Sequence, residues 1–378
     1  MQEAKGWRGR ARQDKLFGHV AGVRCMSLHP ASNLLFTGSL DRTVRAWDLL
    51  SGVQLAVSRP HNGTVRCLAA DDSLLVSGSS DHHIRASPLG AAAGAAGETD
   101  WHSRAASGAK ACLAQRTVLP GGHSGPVTAL ELTPDALFSG SWDYSVRVWS
   151  RSRLRCTAAV HVDDWVSSLA APGRDTLYVG CGKEVLLFNA GKGGLQQAQA
   201  PLKPGDQALV TAVRGSLDGR YAYFGTGEGT VVGADLRCPA QQGQHVLLRD
   251  PSGVSGLSWE YPCLAASFQR GQVALLDAEV AMAYRWQGIG GKGSQGAGGK
   301  PPKPWVRWLA GSAGGEPASC VALGEMWAAA GFDSGTVATW DFNRALEEQR
   351  AATTLRQRKQ QRRIAKAARV PQGSRHDK

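Results

Sequence analysis

Long hydrophobic runs are missing from this chain of 378 residues. No apolar stretch approaches the ~18 residues that a membrane-spanning helix requires, so no membrane span is expected. The opening MQEAKGWRGRARQDK is basic but lacks the apolar centre of a secretory leader. Both absences read as an intracellular protein, of the nucleus, the cytoplasm or both. Paired cysteine motifs are missing as well. The eight cysteines are scattered, with no C-x-x-C, which argues against a zinc site. They read as small buried hydrophobes of a reducing compartment.

An even distribution of charge is also missing. The formal net charge is +12. Residues 1–17 hold five basic and two acidic residues, and residues 344–378 hold eleven and three, so +3 and +8 sit in the tails and +1 is left for residues 18–343. The high isoelectric point therefore belongs to the ends, and nucleic acid is an expected partner only through the C-terminal tail.

What the chain has is repetition. TGSLDRTVRAWD (37–48), SGSSDHHIRAS (77–87) and SGSWDYSVRVWS (139–150) share a hydroxyl residue, Gly-Ser, an Asp four residues after the hydroxyl, and an alternating apolar run. Each is preceded by a histidine and a Val-led strand: His19 with Val23, His61 with Val65, His123 with Val127. Weaker copies open at Val166 (after His161), Val210, Val254 and Cys320. Four of the six steps lie near the ~40–45 residues of a four-stranded propeller blade, and the other two are each longer by about 20. Residues 88–118 and 286–304 supply that excess. They are rich in Gly, Ala and Pro, and read as surface-loop insertions. The expected organisation is a basic segment over 1–11, an all-β seven-bladed propeller over 12–343, and a basic tail over 344–378. In the tail, Asn343 suits an N-cap, Glu347 and Glu348 suit the first turns, and basic residues crowd the far end. A helix is expected there.

The GH…GSxD…WD pattern resembles the WD-repeat β-propellers over roughly residues 12–343. That resemblance implies a buried hydrogen-bonded tetrad in each well-preserved blade: His19, Thr37, Asp41 and Trp47 in the first, and His123, Ser139, Asp143 and Trp149 in the third. Blade 2 keeps His61, Ser77 and Asp81 but has Ser87 for the Trp. Blade 7 keeps Trp340-Asp341 and has Ser334 for the turn Asp. Leu16-Phe17 is expected to supply the outer strand of blade 7 and so close the ring. HVDDWVSSL after SGSWDYSVRVW, with the closing TWDFNRALEEQR, is similar to the propeller of plant-type F-box/WD-repeat proteins. Those are substrate receptors of SCF ubiquitin ligases, which implies a Skp1-like adaptor and cullin as partners. An F-box, however, is absent from the 17 residues ahead of Gly18-His19. A W-D-x-R box, the mark of another cullin route, is met only weakly, by Asp235-Leu236-Arg237 after Ala234.

Other chemistry is not supported. Gly288, Gly290 and Gly293 match G-x-G-x-x-G in form, but a Gly/Lys/Pro loop follows where a helix N-terminus is needed. Gly299-Lys300 is followed by Pro301 in place of Ser or Thr. His82-His83 lacks further ligands at metal spacing, and Asp163-Asp164 stands on a blade-entry loop. No catalytic residue, metal or cofactor is expected, and the chain reads as a non-enzymatic scaffold. Residues that flank each leading Val or precede the turn Asp point to the narrow top of a propeller. They are Arg24, Leu40, Arg66, Ser80, Trp142 and Trp165. Arg and Trp suit an interface hot spot, and paired Arg suits an acidic or phosphorylated peptide. In the tail, Arg356, Arg358, Lys359, Arg362, Arg363 and Lys366 suit a nuclear-import signal, a nucleic-acid contact or a solvated helix. The resulting expectation is a substrate receptor of SCF type. The alternative is a nuclear RNA- or ribosome-associated scaffold that uses the tail.

Overall fold

The computed structural model describes residues 11–29, 33–89, 111–112, 117–173, 175–191, 194–204, 208–238, 243–282, 305–309, 315–324 and 326–342. Residues 1–10 of the segment expected over 1–11, the insertion 286–304, most of the insertion 88–118 and the tail 344–378 with its six basic site residues lie outside them.

The strands form seven sheets, each one blade. Their innermost strands are Val23–His29, Val65–Ala70, Val127–Leu132, Val166–Ala170, Val210–Gly215, Val254–Glu260 and Ala318–Gly324. Each touches the inner strand of the next blade, and the last touches the first, so the ring closes. Among the described residues the fold is all-β with almost no helix. Every second strand is buried end to end or nearly so, as in Leu34–Ser39, Tyr221–Thr226 and Trp327–Phe332. Both of its faces meet neighbouring blades, which is why these strands read as continuous apolar runs.

Two repeated devices explain the GS phrase. The first is steric. A Cβ on Gly38 would stand 2.6 Å from Cγ1 of Val65, one on Gly78 2.7 Å from Val127, and one on Gly331 2.7 Å from Val23. Each glycine thus makes room for the valine that opens the next blade. Blade 6 carries Ser267 at that register, and the following strand opens on Ala318 in place of Val. A larger residue on one blade is matched by a smaller one on the next, which conserves volume at the seam. The second device is a hydrogen bond from the backbone N–H of the turn between second and third strands to the carbonyl just before the next inner strand position of the same blade. Leu40 donates to Gly22, Ser80 to Thr64, Trp142 to Pro126, Gly182 to Trp165, Gly227 to Leu209, Gln269 to Gly253, and Asp333 to Pro317.

That last bond corrects the register of blade 7. Its leading residue is Ala318 and not Cys320, which aligns with Cys25 and Cys67 after the shared bulge. The alanine hid the position, because a Val was the signal sought. Closure runs as expected in outline: Arg12–Leu16 pairs antiparallel with Val337–Asp341. Leu16 is buried, but Phe17 is 71% exposed and stands beyond the strand. Two further corrections concern blades 1 to 3. The insertion 88–118 ends in strand: Thr117–Val118 completes blade 2, and Ala111–Cys112 lies parallel to Gln54–Val57 as a fifth strand of blade 1. His161, read as the histidine of blade 4, is an exposed residue at the end of the outer strand of blade 3.

Candidate functional site

The histidine constellations fold as compact buried chains. In blade 1 the Nε1–H of Trp47 donates to Thr37 Oγ1 (2.8 Å), the Thr37 hydroxyl donates to His19 Nε2 (2.8 Å), and His19 Nδ1–H donates to Asp41 Oδ2 (2.7 Å). The tautomer follows from the ends, since an ionised carboxylate only accepts and an indole N–H only donates. Blade 3 repeats this with Trp149 to Ser139 (2.8 Å), Ser139 to His123 (2.7 Å) and His123 to Asp143 (2.9 Å). Blade 2 keeps His61 with Ser77 (2.8 Å) and Asp81 (3.1 Å), while the Oγ of Ser87, at the Trp register, is buried without a partner. Burial alone would raise the three carboxyls. The histidine and turn hydrogen bonds outweigh it and hold Asp41 and Asp81 far below the ordinary range, and Asp143 at about 2. Burial also lowers His123, against the pull of Asp143. The order Asp–His–hydroxyl copies a hydrolase triad, but the hydroxyl is buried and shared with an indole. These groups join the turn to the strands beneath it.

The Asp of each tetrad has a second task. Its Oδ1 accepts the N–H two residues on: Thr43 (2.9 Å), His83 (3.0 Å) and Ser145 (3.1 Å). The residue in between is left-handed, with φ of 68° at Arg42, 69° at His82 and 60° at Tyr144. In blades 5, 6 and 7, which lack the Asp, the same place is Gly229, Gly271 and Gly335, while the turn of blade 4 is one residue shorter and its left-handed residue, Gly182, stands level with Leu40. A side-chain clamp or the absence of a Cβ thus satisfies one backbone requirement in six of the seven turns.

These turns gather the six top-face residues as follows. The Arg66 guanidinium lies 4.5 Å from the ring centroid of Trp142, and its Nε donates to Ser80 Oγ (2.7 Å). Trp142 and Trp165 stand 6.4 Å apart between centroids, tilted by 39°. They are 44% and 42% exposed, and Leu40 is 40% exposed. Blades 2, 3 and 4 therefore share one cation–aromatic–aromatic ladder. Arg24 turns the other way: it is 3.3 Å from Asp333 and donates to Ser319 on blade 7. The sequence reading missed Asp333 because it stopped at blade 4. The rule that selected Leu40, Ser80 and Trp142 selects Asp333 in blade 7. Burial, and then the charge of Arg24, lowers the pKa of Arg66. An anion arriving there would offset both effects.

The central channel opens beneath this ladder. Arg24, Arg66, Thr128, Ser167 and Ser255 line a cavity of about 190 Å³. Toward the opposite mouth, Glu131 and Arg214 line a second cavity of about 290 Å³. Burial raises the Glu131 carboxyl to about 7, against the opposing effects of Arg214 and the Ala171 N–H.

Seven four- to five-stranded blades closed into a ring, the first three locked by His–hydroxyl–Asp chains, define a β-propeller. The profile of the WD domain, G-beta repeat, matches residues 11–48, 52–86 and 114–150, which cover blades 1 to 3. Those three blades are WD repeats, set in a seven-bladed propeller. The chain is 29% identical over 357 residues, 92% of its length, to an F-box/WD-40 repeat-containing protein of Arabidopsis thaliana. Shorter stretches match Mitochondrial division protein 1, at 41% over 70 residues in Mycosarcoma maydis and 27% over 216 residues in Kluyveromyces lactis. The chain spans 62% of the Arabidopsis protein, and 9% and 28% of the other two. Among the described residues, no helix is long and apolar enough to cross a membrane.

Proposed function

We propose that this propeller is a non-enzymatic protein-recognition module and that it serves as the substrate-binding part of an SCF-like ubiquitin ligase. The observation that carries recognition is the Arg66–Trp142–Trp165 ladder. Three exposed or half-exposed side chains of the types richest in binding energy are stacked across three blades. The buried tetrad of blade 3 and the His61–Ser77–Asp81 chain of blade 2 hold the turns that carry Trp142 and Ser80, which limits the entropy lost on binding. The cationic end suits an acidic or phosphorylated peptide. The ligase assignment is supported by likeness to an F-box/WD-40 protein over 92% of the chain. Affinity purification of the full-length protein from its own cells tests it. Skp1-like and cullin subunits are expected in the eluate, and their absence would overturn the ligase assignment while leaving recognition standing.

A second reading rests on the net +8 of residues 344–378. It makes the protein a nuclear RNA- or ribosome-associated scaffold. It predicts RNA that co-purifies, falls steeply with salt, and disappears when 344–378 are deleted.

A further inference from the structure

The top face is not uniformly cationic. Around blades 1 and 2, Arg42 and Arg59 are exposed and Arg66 is half-exposed, while Arg24 is paired with Asp333, and Asp41 and Asp81 are taken up by His19 and His61. Across the two tryptophans the sign reverses. Asp163 and Asp164 directly precede Trp165, and Glu228 stands exposed on the adjoining turn of blade 5. The Asp164 carboxylate is fixed in place. Its Oδ1 accepts the Trp165 N–H at 2.8 Å, and it lies over Gly182, where a Cβ would collide with it. Lys183, Lys203 and Arg249 are exposed cations of this sector, Lys203 being paired with Glu184 at 2.7 Å and Arg249 standing on the outer strand of blade 5 opposite Thr230. Arg42, Arg59 and Arg66 on one side and Asp163, Asp164 and Glu228 on the other thus flank an aromatic saddle with opposite charge.

The saddle has a usable spacing. Residues i and i+2 of an extended chain lie on one face about 6.6 Å apart, which matches the 6.4 Å between the rings of Trp142 and Trp165. Two alternate side chains of one extended peptide can therefore each meet a tryptophan.

We propose that this face reads a peptide by its charge polarity. An acidic stretch lies over Arg42, Arg59 and Arg66, apolar residues at i and i+2 sit on Trp142 and Trp165, and a basic residue meets Asp163 and Asp164. This rests on the recognition reading above and adds the chemistry of the partner. The negative sector also rejects wholly acidic peptides, which a cationic face alone would accept.

Three synthetic peptides of one length and one apolar centre test this on the full-length protein: acidic–apolar–basic, acidic–apolar–acidic and basic–apolar–basic. In fluorescence anisotropy at physiological salt the bipolar peptide is expected to bind at least ~10-fold tighter than either other, or about 1.4 kcal/mol. The double variant Asp163→Lys/Glu228→Lys, with circular dichroism confirming the fold, is expected to shift preference to the wholly acidic peptide. If the wild type binds the acidic peptide as tightly as the bipolar one and the double variant changes nothing, polarity reading is wrong while recognition stands. If none of the three binds, the polarity proposal is overturned. Recognition itself is then decided by whether Trp142→Ala alters capture of client proteins.

Discussion

At the scale of single residues, two buried carboxyl environments differ in sign. Asp143 is ionised and satisfied: it accepts from His123, from the Ser124 N–H at 3.0 Å and from the Ser145 N–H at 3.1 Å. Asp143→Ala leaves those donors in a closed space. The expected loss is about 2–4 kcal/mol in urea unfolding, since each orphaned buried group costs ~1–3 kcal/mol. An Ala at Ser334, the eroded counterpart in blade 7, is expected to cost far less, because its hydroxyl serves only Thr336. Glu131 behaves oppositely. With its pKa raised to about 7, the folded chain keeps a proton that the unfolded chain releases. This group therefore costs nothing below its ordinary pKa, destabilises increasingly as the pH rises to about 7, and holds that full cost above it. Glu131→Gln should be close to neutral at pH 4 and stabilise by about 1–3 kcal/mol at pH 8. Equal effects at both pH values would contradict the burial argument. The depressed carboxyls of Asp41, Asp81 and Asp143 act in the other direction. Their contribution is fully present above the ordinary carboxylate range and is lost as the pH falls through it toward 2.

At the scale of the turn and strand, much was legible and the failures are instructive. Six of the seven inner strands open on the residue that the sequence marks, because a Val must fill the space over a neighbouring Gly. The seventh was misplaced by two residues, because Ala318 and Ser267 exchange volume and remove both signals. The left-handed turn position was not read at all, since Arg42, His82 and Tyr144 carry no glycine signature. Comparing the blades would have exposed it, because glycine stands there in blades 5, 6 and 7, where the Asp is lost. The same logic gives an expected outcome. Gly229→Ala places a methyl group against the carbonyl oxygens of Asp250 and Ser252 at a φ of 85°, so it should destabilise blade 5 strongly. Tyr144→Gly, which has the Asp143 clamp beside it, should change stability little, because relief of left-handed strain offsets added chain entropy. Hydrogen exchange on the two variants distinguishes these: protection in Thr230–Asp235 falls in the first, and in Ser145–Ser150 remains in the second.

At the scale of the whole molecule, the ring and its closure by Arg12–Leu16 followed from the repeat, while the top-face pattern followed only in part. The sequence marked Arg66, Trp142 and Trp165, and the fold places them in one ladder. It also marked Arg24, which the fold commits to Asp333 across the seam that joins the first and last blades. Proximity across that seam spans almost the whole chain, so no local pattern reveals it. The likeness to an F-box/WD-40 protein and the ladder lead to the same central claim, that the top face captures proteins. The most direct test is quantitative affinity purification with wild type and the Trp142→Ala/Trp165→Ala variant, alongside an Arg151→Ala control on the opposite end of the blades, where Arg151 pairs with Asp71 at 2.6 Å. The account predicts that client proteins fall by ~10-fold or more with the tryptophan variant, as removal of hot-spot aromatics does, and that the control retains them. Equal recovery from all three, with the variants folded, would contradict it.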